Sequence, residues 1–298
     1  METILEINHL FKNYRKIKAV QDLSLRVESG TVFGLLGPNG SGKTTTLGIV
    51  LDVVHKTKGE YQWFGMPPSN DARKKIGAIL EAPAFYPYLS AVENLKIVAQ
   101  IKNTTYKRID IVLEQVGLID RKNDRFQTYS LGMKQRLAIG SALLSDPLVL
   151  VLDEPTNGLD PQGIADVREL ILKISAEGKT IILASHLLDE VQKVCSHFAV
   201  LKKGQMLYSG SVEEALANKE SVEVSAPDLE QLIAAINQFD EVKNVHVNQH
   251  LVVVHLNNGK TAFDLNSYLV SRGIVVSHMA TERKNLEAQF LEILSQSK

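Results

Sequence analysis

The sequence holds one cysteine, Cys195, and one tryptophan, Trp63, in 298 residues. A single thiol cannot close a disulfide within the chain, so the fold rests on its apolar core, and the composition fits a reducing compartment. No apolar run approaches the roughly 20 residues that a helix needs to cross a bilayer. An excess of one charge is also missing: 33 Lys and Arg face 34 Asp and Glu, a net charge of -1. That balance removes the electrostatic reason to expect nucleic acid as a partner. The start, Met1-Glu2-Thr3-Ile4-Leu5-Glu6, has neither the basic and apolar regions of a signal peptide nor the arginines of a transit peptide. The chain is expected to be soluble by itself, and its length favours two domains over one.

What is present centres on Gly37-Pro38-Asn39-Gly40-Ser41-Gly42-Lys43-Thr44-Thr45, which follows the spacing G-x-x-x-x-G-K-[ST] of a phosphate-binding loop. Glycines let the backbone curl round an anion and turn successive N–H groups inward. Lys43 is placed to reach β- and γ-phosphates and the Thr44 hydroxyl to ligate Mg²⁺. Thr31 to Leu36 is a short apolar run suited to a buried strand, and Thr44 to Leu51 can start a helix whose N-terminus faces the phosphates.

Along the chain, residues 4–8 and roughly 19–36 read as strands, with Asn13-Tyr14-Arg15-Lys16 as a polar turn between them. Gly59 to Gly65 and Ile76 to Leu80 read as two more, the second ending at Glu81. From Ser90 to about Ser145 apolar residues recur every three or four positions, a helical block interrupting an α/β pattern. Leu148 to Leu152 is the strongest strand and runs into Asp153-Glu154. A helix over Gly163 to Ala176 and a buried strand, Thr180 to Ala184, lead to Ser185-His186. Near residue 218 the composition changes. Strands over 221–225, 242–247, 251–256 and 274–276, with helices over 229–239 and 263–271, give the order β-α-β-β-α-β of a small ferredoxin-like module. A last helix is expected over Glu282 to Ser295. The fold class is thus α/β, with domains 1–217 (helical part about 88–146) and 218–298.

Four positions outside the loop have the chemistry of a triphosphatase. A carboxylate at a strand end, Asp153, can hold Mg²⁺, and the next, Glu154, points elsewhere because strand side chains alternate, so it can act as general base on a water. The other reading is that Asp-Glu merely starts a turn. His186 can hydrogen-bond a γ-phosphate or the attacking water, or can be structural. Tyr14 can stack on a purine, or can be a half-buried tyrosine at a strand end. His246, His250 and His255 lie on strands around a turn with no cysteine or carboxylate beside them, so a metal site is not expected there and the module reads as a regulatory or dimer-supporting appendage.

These residues, with Tyr129-Ser130-Leu131-Gly132-Met133-Lys134-Gln135-Arg136-Leu137, carry a resemblance to the ATPases of ABC transporters. The last segment resembles their signature, conventionally L-S-G-G-Q, and lies between the phosphate loop and the acidic strand as in that family. Asn157-Gly158-Leu159-Asp160 looks like the family's D-loop and Ser185-His186 like its switch histidine. The likeness covers roughly residues 3–215. It implies an ABC-type core that binds ATP and Mg²⁺, with Thr44, Asp153 and Glu81 near the metal. It also implies a head-to-tail homodimer in which Ser130, Gly132 and Asp160 complete the site of the other copy. The implied partners are separate polytopic permease subunits, docking near Glu81 to Tyr88 and the helical block, with no nucleic acid. The implied location is the inner face of the cell membrane.

Two departures stand out. Leu131 replaces the first glycine of the signature and Met133 its glutamine, a variant similar to that of single-cassette exporter ATPases. Glu81 stands where glutamine is usual, adding charge and removing a donor, so hydrolysis is expected to be slower or coupled differently. Glutamate there resembles the subgroup exporting bacitracin or lantibiotics, and Asn285 to Phe290 resembles the ending of drug-exporter ATPases. The alternative is a soluble ABC ATPase acting on ribosomes or DNA, which usually has tandem cassettes or long coiled-coil insertions.

Overall fold

The computed structural model describes residues 2–81, 84–216, 220–248, 251–257, 259–283 and 290. The chain divides into two compact units, built on Met1–Ser211 and on Val212–Glu292.

The first unit begins with β1 (Thr3–Tyr14) and β2 (Ile17–Glu28), followed by β3 (Val32–Leu36) and α1 (Lys43–Val50). Next come β4 (Lys58–Trp63), α2 (Asn70–Lys74) and β5 (Ile76–Ile79). Three longer helices follow: α3 (Ala91–Ile101), α4 (Arg108–Gln115) and α5 (Leu131–Leu143). The unit closes with β6 (Val149–Asp153), α6 (Pro161–Ala176), β7 (Thr180–Ser185), α7 (Leu188–Val194), β8 (His197–Lys202) and β9 (Gln205–Ser211).

These strands form two sheets. One is antiparallel, in the order β2-β1-β4. The other runs β5-β6-β7-β3-β8-β9 and is parallel except for β9. The expected strand over 19–36 is therefore two strands in two different sheets, separated at Gly30, where φ is 75°. The physical distinction is visible in the side chains. β2 alternates buried and exposed residues because it has one wet face, whereas all five residues of β3 are buried, as in a strand covered on both faces. The lone tryptophan joins the two sheets' surroundings: Trp63, on β4 and 1% exposed, donates its Nε1–H to the Val50 carbonyl at the end of α1 at 2.7 Å.

The helical block is anchored at its start by a capping box, with Ser90 accepting from Glu93 N and the Glu93 carboxylate accepting from Ser90 N. Leu95 and Ala99 on α3, Val112 and Leu113 on α4, and Leu137 and Ile139 on α5 are all fully buried, which accounts for the three-and-four spacing in the sequence. Among the described residues no helix is long and apolar enough to cross a membrane.

The second unit starts with α8 (Val212–Leu216) and continues through β10 (Glu220–Ser225), α9 (Leu229–Ile236), β11 (Val242–Asn248), β12 (Leu251–Leu256), α10 (Ala262–Ser271) and β13 (His278–Arg283). Its sheet is antiparallel in the order β11-β12-β10-β13, over a core that includes Val222, Val224, Leu232, Val252, Val254, Leu265 and Leu269. One expectation shifts. The apolar triplet 274–276 is not a strand: Ile274 turns into the core, Val275 is 79% exposed, and Ser277 N donates to Ser225 O at 2.8 Å where β13 begins. The strand lies instead in the polar stretch after it. The final helix expected over 282–295, including the segment 285–289, falls almost wholly outside the described residues.

Candidate active site

Parallel pairing sets the site. β7 pairs on one side with β6 and on the other with β3, so Asp153 lies opposite Ala184 and Leu36 opposite Ser185. The three strands therefore end side by side, and their carboxyl ends deliver Gly37, Glu154 and His186 to one crevice, the usual position of a ligand site on such a sheet. Below it Leu150, Val151, Leu152 and Ile181 have no exposed surface, so the strands cannot slide without exposing core.

The phosphate loop turns from β3 into α1. Its last glycine, Gly42, has φ 107° and no room for a side chain, since a Cβ there would lie 2.5 Å from the Ala19 carbonyl oxygen. Lys43, 5% exposed, donates to the Gly37 carbonyl at 2.8 Å and approaches the Glu154 carboxylate at 3.2 Å. Glu154 itself adopts φ 47°, a strained value for a residue with a side chain. Its second oxygen, Oε2, meets His186 Nδ1 at 2.8 Å. One carboxylate is thus held between a buried ammonium group and an imidazole.

Asp153 is 6% exposed, and its Oδ1 is buried with no hydrogen-bond partner. Burial raises its pKa above the ordinary 3.8, with the negative charges of Glu154 and Glu81 adding to the rise, while a hydrogen bond from Thr44 and the Lys43 charge oppose it. An unpartnered anionic oxygen beside a threonine hydroxyl suits a hard cation such as Mg²⁺. A carboxyl with a raised pKa holds its proton more tightly folded than unfolded, so its ionisation destabilises the fold as pH climbs past 3.8, fully so above the folded value. Replacing Asp153 with Asn removes that penalty. Without divalent cation or nucleotide, Asp153→Asn should melt at a higher temperature than the parent at pH 7, the gain narrowing as the pH approaches 3.8. A melting scan across pH checks it, and an unchanged or lower Tm at pH 7 contradicts it.

A cavity of about 660 Å³ opens in front of the loop. Asn39 to Thr45 and Glu154 line it, as does Tyr14. Tyr14 ends β1 instead of lying in the turn, is 44% exposed, and has the Lys12 ammonium 4.7 Å from its ring centre. Lys16, Ile17, Lys18, Ala19, Gln21 and Lys203 complete the wall, and sequence reasoning assigned none of them to the site. Glu81, with φ 61°, is exposed and reaches Asp153 only through its charge.

Ser130, Gly132 and Asp160 do not line this cavity. They form a second locus. Ser130 caps α5, accepting from Met133 N at 3.2 Å, and Asp160 caps α6, accepting from Gly163 N at 2.9 Å. The two helix starts touch: a Cβ on Gly132 would stand 3.5 Å from Gly163 Cα, and one on Gly158 would stand 3.6 Å from the Leu131 side chain. Ser130 is exposed. In the second unit His246 and His255 stack edge to face at 6.1 Å, and His250 lies outside the described residues.

Comparison with known proteins gives a consistent picture. The ABC transporter family profile matches residues 20–157. An uncharacterised ABC transporter ATP-binding protein of Bacillus subtilis, YhcH, is 37% identical over 100% of this chain and 98% of its own length. The bacitracin transport ATP-binding protein BcrA of Bacillus licheniformis is 35% identical over 99% of this chain and 98% of its own. Among solved structures, CbiO1 of Clostridium perfringens, part of the ABC transporter complex CbiONQ, superposes with a TM-score of 0.66 at 26% identity, covering 80% of this chain and 96% of that one.

Proposed function

Since this chain belongs to the ATP-binding proteins of ABC transporters, a family of ATPases, we propose that it hydrolyses ATP at the crevice above β6, β7 and β3 to drive export of a peptide antibiotic. The observation that carries the chemistry is Glu154, held at 3.2 Å from Lys43 and 2.8 Å from His186 beside the phosphate loop. Binding starts with the purine on Tyr14 and the polyphosphate in the loop, where Lys43 exchanges its backbone carbonyls for phosphate oxygens. That exchange frees Glu154 from Lys43 to take a proton from the attacking water. His186 orients the carboxylate through Nδ1, leaving Nε2 for the water or the γ-phosphate. Thr44 and Asp153 would hold Mg²⁺, which supplies charge neutralisation of the phosphates when bound. Glu81 contributes charge to this site where a glutamine would contribute a donor.

The second locus is assigned to the partner's nucleotide. Ser130 and the Gly132 backbone, at an open helix start, meet the γ-phosphate held by another copy of the chain, and Asp160 fixes the neighbouring loop. Two ATP molecules then lie in the interface of a homodimer. Separate permease subunits are the membrane partners, which places the chain on the inner face of the membrane. The export cargo is assigned from the full-length likeness to BcrA, and bacitracin-like peptides are its class.

Purification of the tagged chain from gently solubilised membranes tests the reading. A polytopic membrane protein should copurify, and cells deleted for the gene should become several-fold more sensitive to bacitracin. Ribosomes in the eluate, with no membrane protein, would favour the soluble alternative.

A further inference from the structure

We propose that Lys203 is a nucleotide-binding residue that, with Lys16 and Lys18, forms a cationic rim for the phosphate on the nucleoside side of the triphosphate. The inference rests on the nucleotide reading above and assigns residues that the ABC motifs do not include.

Lys203 and Gly204 make the turn between β8 and β9, with φ 49° and 81°. Successive positive values are those of the tight hairpin turn that suits twisted strands. This turn is fastened to the phosphate loop. Gly204 N donates to the Ser41 carbonyl at 2.9 Å, and its own carbonyl accepts from Gln21 N at 2.7 Å. The Lys203 carbonyl accepts from Gln21 Nε2 at 2.8 Å. Gly204 is also closed to a side chain, since a Cβ would sit 2.8 Å from the Ala19 carbonyl oxygen. The backbone is thereby fixed against both the loop and β2, while the Lys203 side chain is exposed and lines the cavity.

Charge then decides what the rim meets. The cavity wall carries four lysines, 16, 18, 43 and 203, against one carboxylate, Glu154. Lys43 is paired with that carboxylate, and none of the other three makes an ion pair with a described residue. Ammonium groups clustered on one wall raise the local concentration of anions. Lys43 sits deep in the loop, where the β- and γ-phosphates lie. Lys16 and Lys18 flank Ile17 just after Tyr14, on the nucleoside side, and Lys203 borders the same cavity. The competing account, three solvated lysines on exposed turns, requires that their charge has no effect on nucleotide affinity.

Titration of the full-length protein with ATP separates the two accounts. At low salt Lys203→Gln should weaken ATP binding about fivefold, and the triple change of Lys16, Lys18 and Lys203 to Gln on the order of fiftyfold. High salt should shrink both differences, because exposed charges are screened. In steady state the loss should fall on KM and not on kcat, as for uniform binding, and Lys203→Arg should restore affinity. Equal affinities of parent and variants at low salt would overturn the proposal, as would a loss that high salt leaves unchanged. Lys43→Ala serves as the control. If it too binds ATP as the parent does, the nucleotide reading itself fails; if it loses ATP while Lys203→Gln does not, only the rim fails.

Discussion

The Glu154→Gln protein is expected to hydrolyse ATP about a thousandfold more slowly than the parent while still binding it, because a positioned general base contributes roughly 10² to 10⁴ in rate. The geometry makes this substitution unusually clean. Glu154 directs its oxygens at Lys43 and His186, 3.2 and 2.8 Å away, and a glutamine of the same length retains an oxygen and adds an amide donor. It keeps the strained φ of 47° as readily as glutamate does. What it loses is the capacity to accept a proton and the charge facing Lys43. Binding should hold or tighten, since one negative charge near the incoming phosphates has been removed. Single-turnover hydrolysis measured beside equilibrium binding checks both halves. A variant that turns over within about tenfold of the parent would remove Glu154 as the base.

Lys43→Ala is the second large effect, and it acts on binding. Lys43 is 5% exposed and already shapes the loop through its bond to the Gly37 carbonyl. Two charge-assisted bonds to phosphate, about 2 kcal/mol each, correspond to a loss of affinity on the order of a thousandfold. The truncation also strands Glu154 without its cation, so the variant should lose more than a charge-neutral change at an exposed lysine would. Titration with a fluorescent ATP analogue reads the loss. Affinity within a few-fold of the parent would mean that the loop does not hold the triphosphate.

How far these residues could be read in advance depended on whether their role is local. The phosphate loop, Asp153, Glu154 and His186 were legible because each follows a short, continuously apolar strand, and parallel pairing of β6, β7 and β3 turns that sequence rhythm into one crevice. β8 and β9 are not legible in the sequence, although Phe198 to Leu201 is apolar. β9 is an antiparallel edge whose residues are mostly half-buried, so it shows no alternation, and without it the short apolar stretch of β8 has no hairpin signal. The lysine wall was illegible for the same reason. Lysines on turns read as solvated, and the hydrogen bonds from Gln21 and Gly204 to distant chain segments help place Lys203 on the same cavity as Lys16 and Lys18. In the second unit, the apolar triplet at 274 resembles a strand because Ile274 and Val276 pack against the core while Val275 is exposed. Core packing, not strand formation, explains its composition.

The separation of the two loci has the largest functional consequence. Ser130 and Asp160 cap neighbouring helices away from the cavity, which supports the proposal that they meet the nucleotide of a second copy. The most direct measurement is sedimentation of the purified Glu154→Gln protein with and without ATP. A shift from monomer to dimer on adding ATP, abolished by a further Ser130→Glu change, is the predicted result. A protein that binds ATP and sediments as a monomer would contradict the composite site.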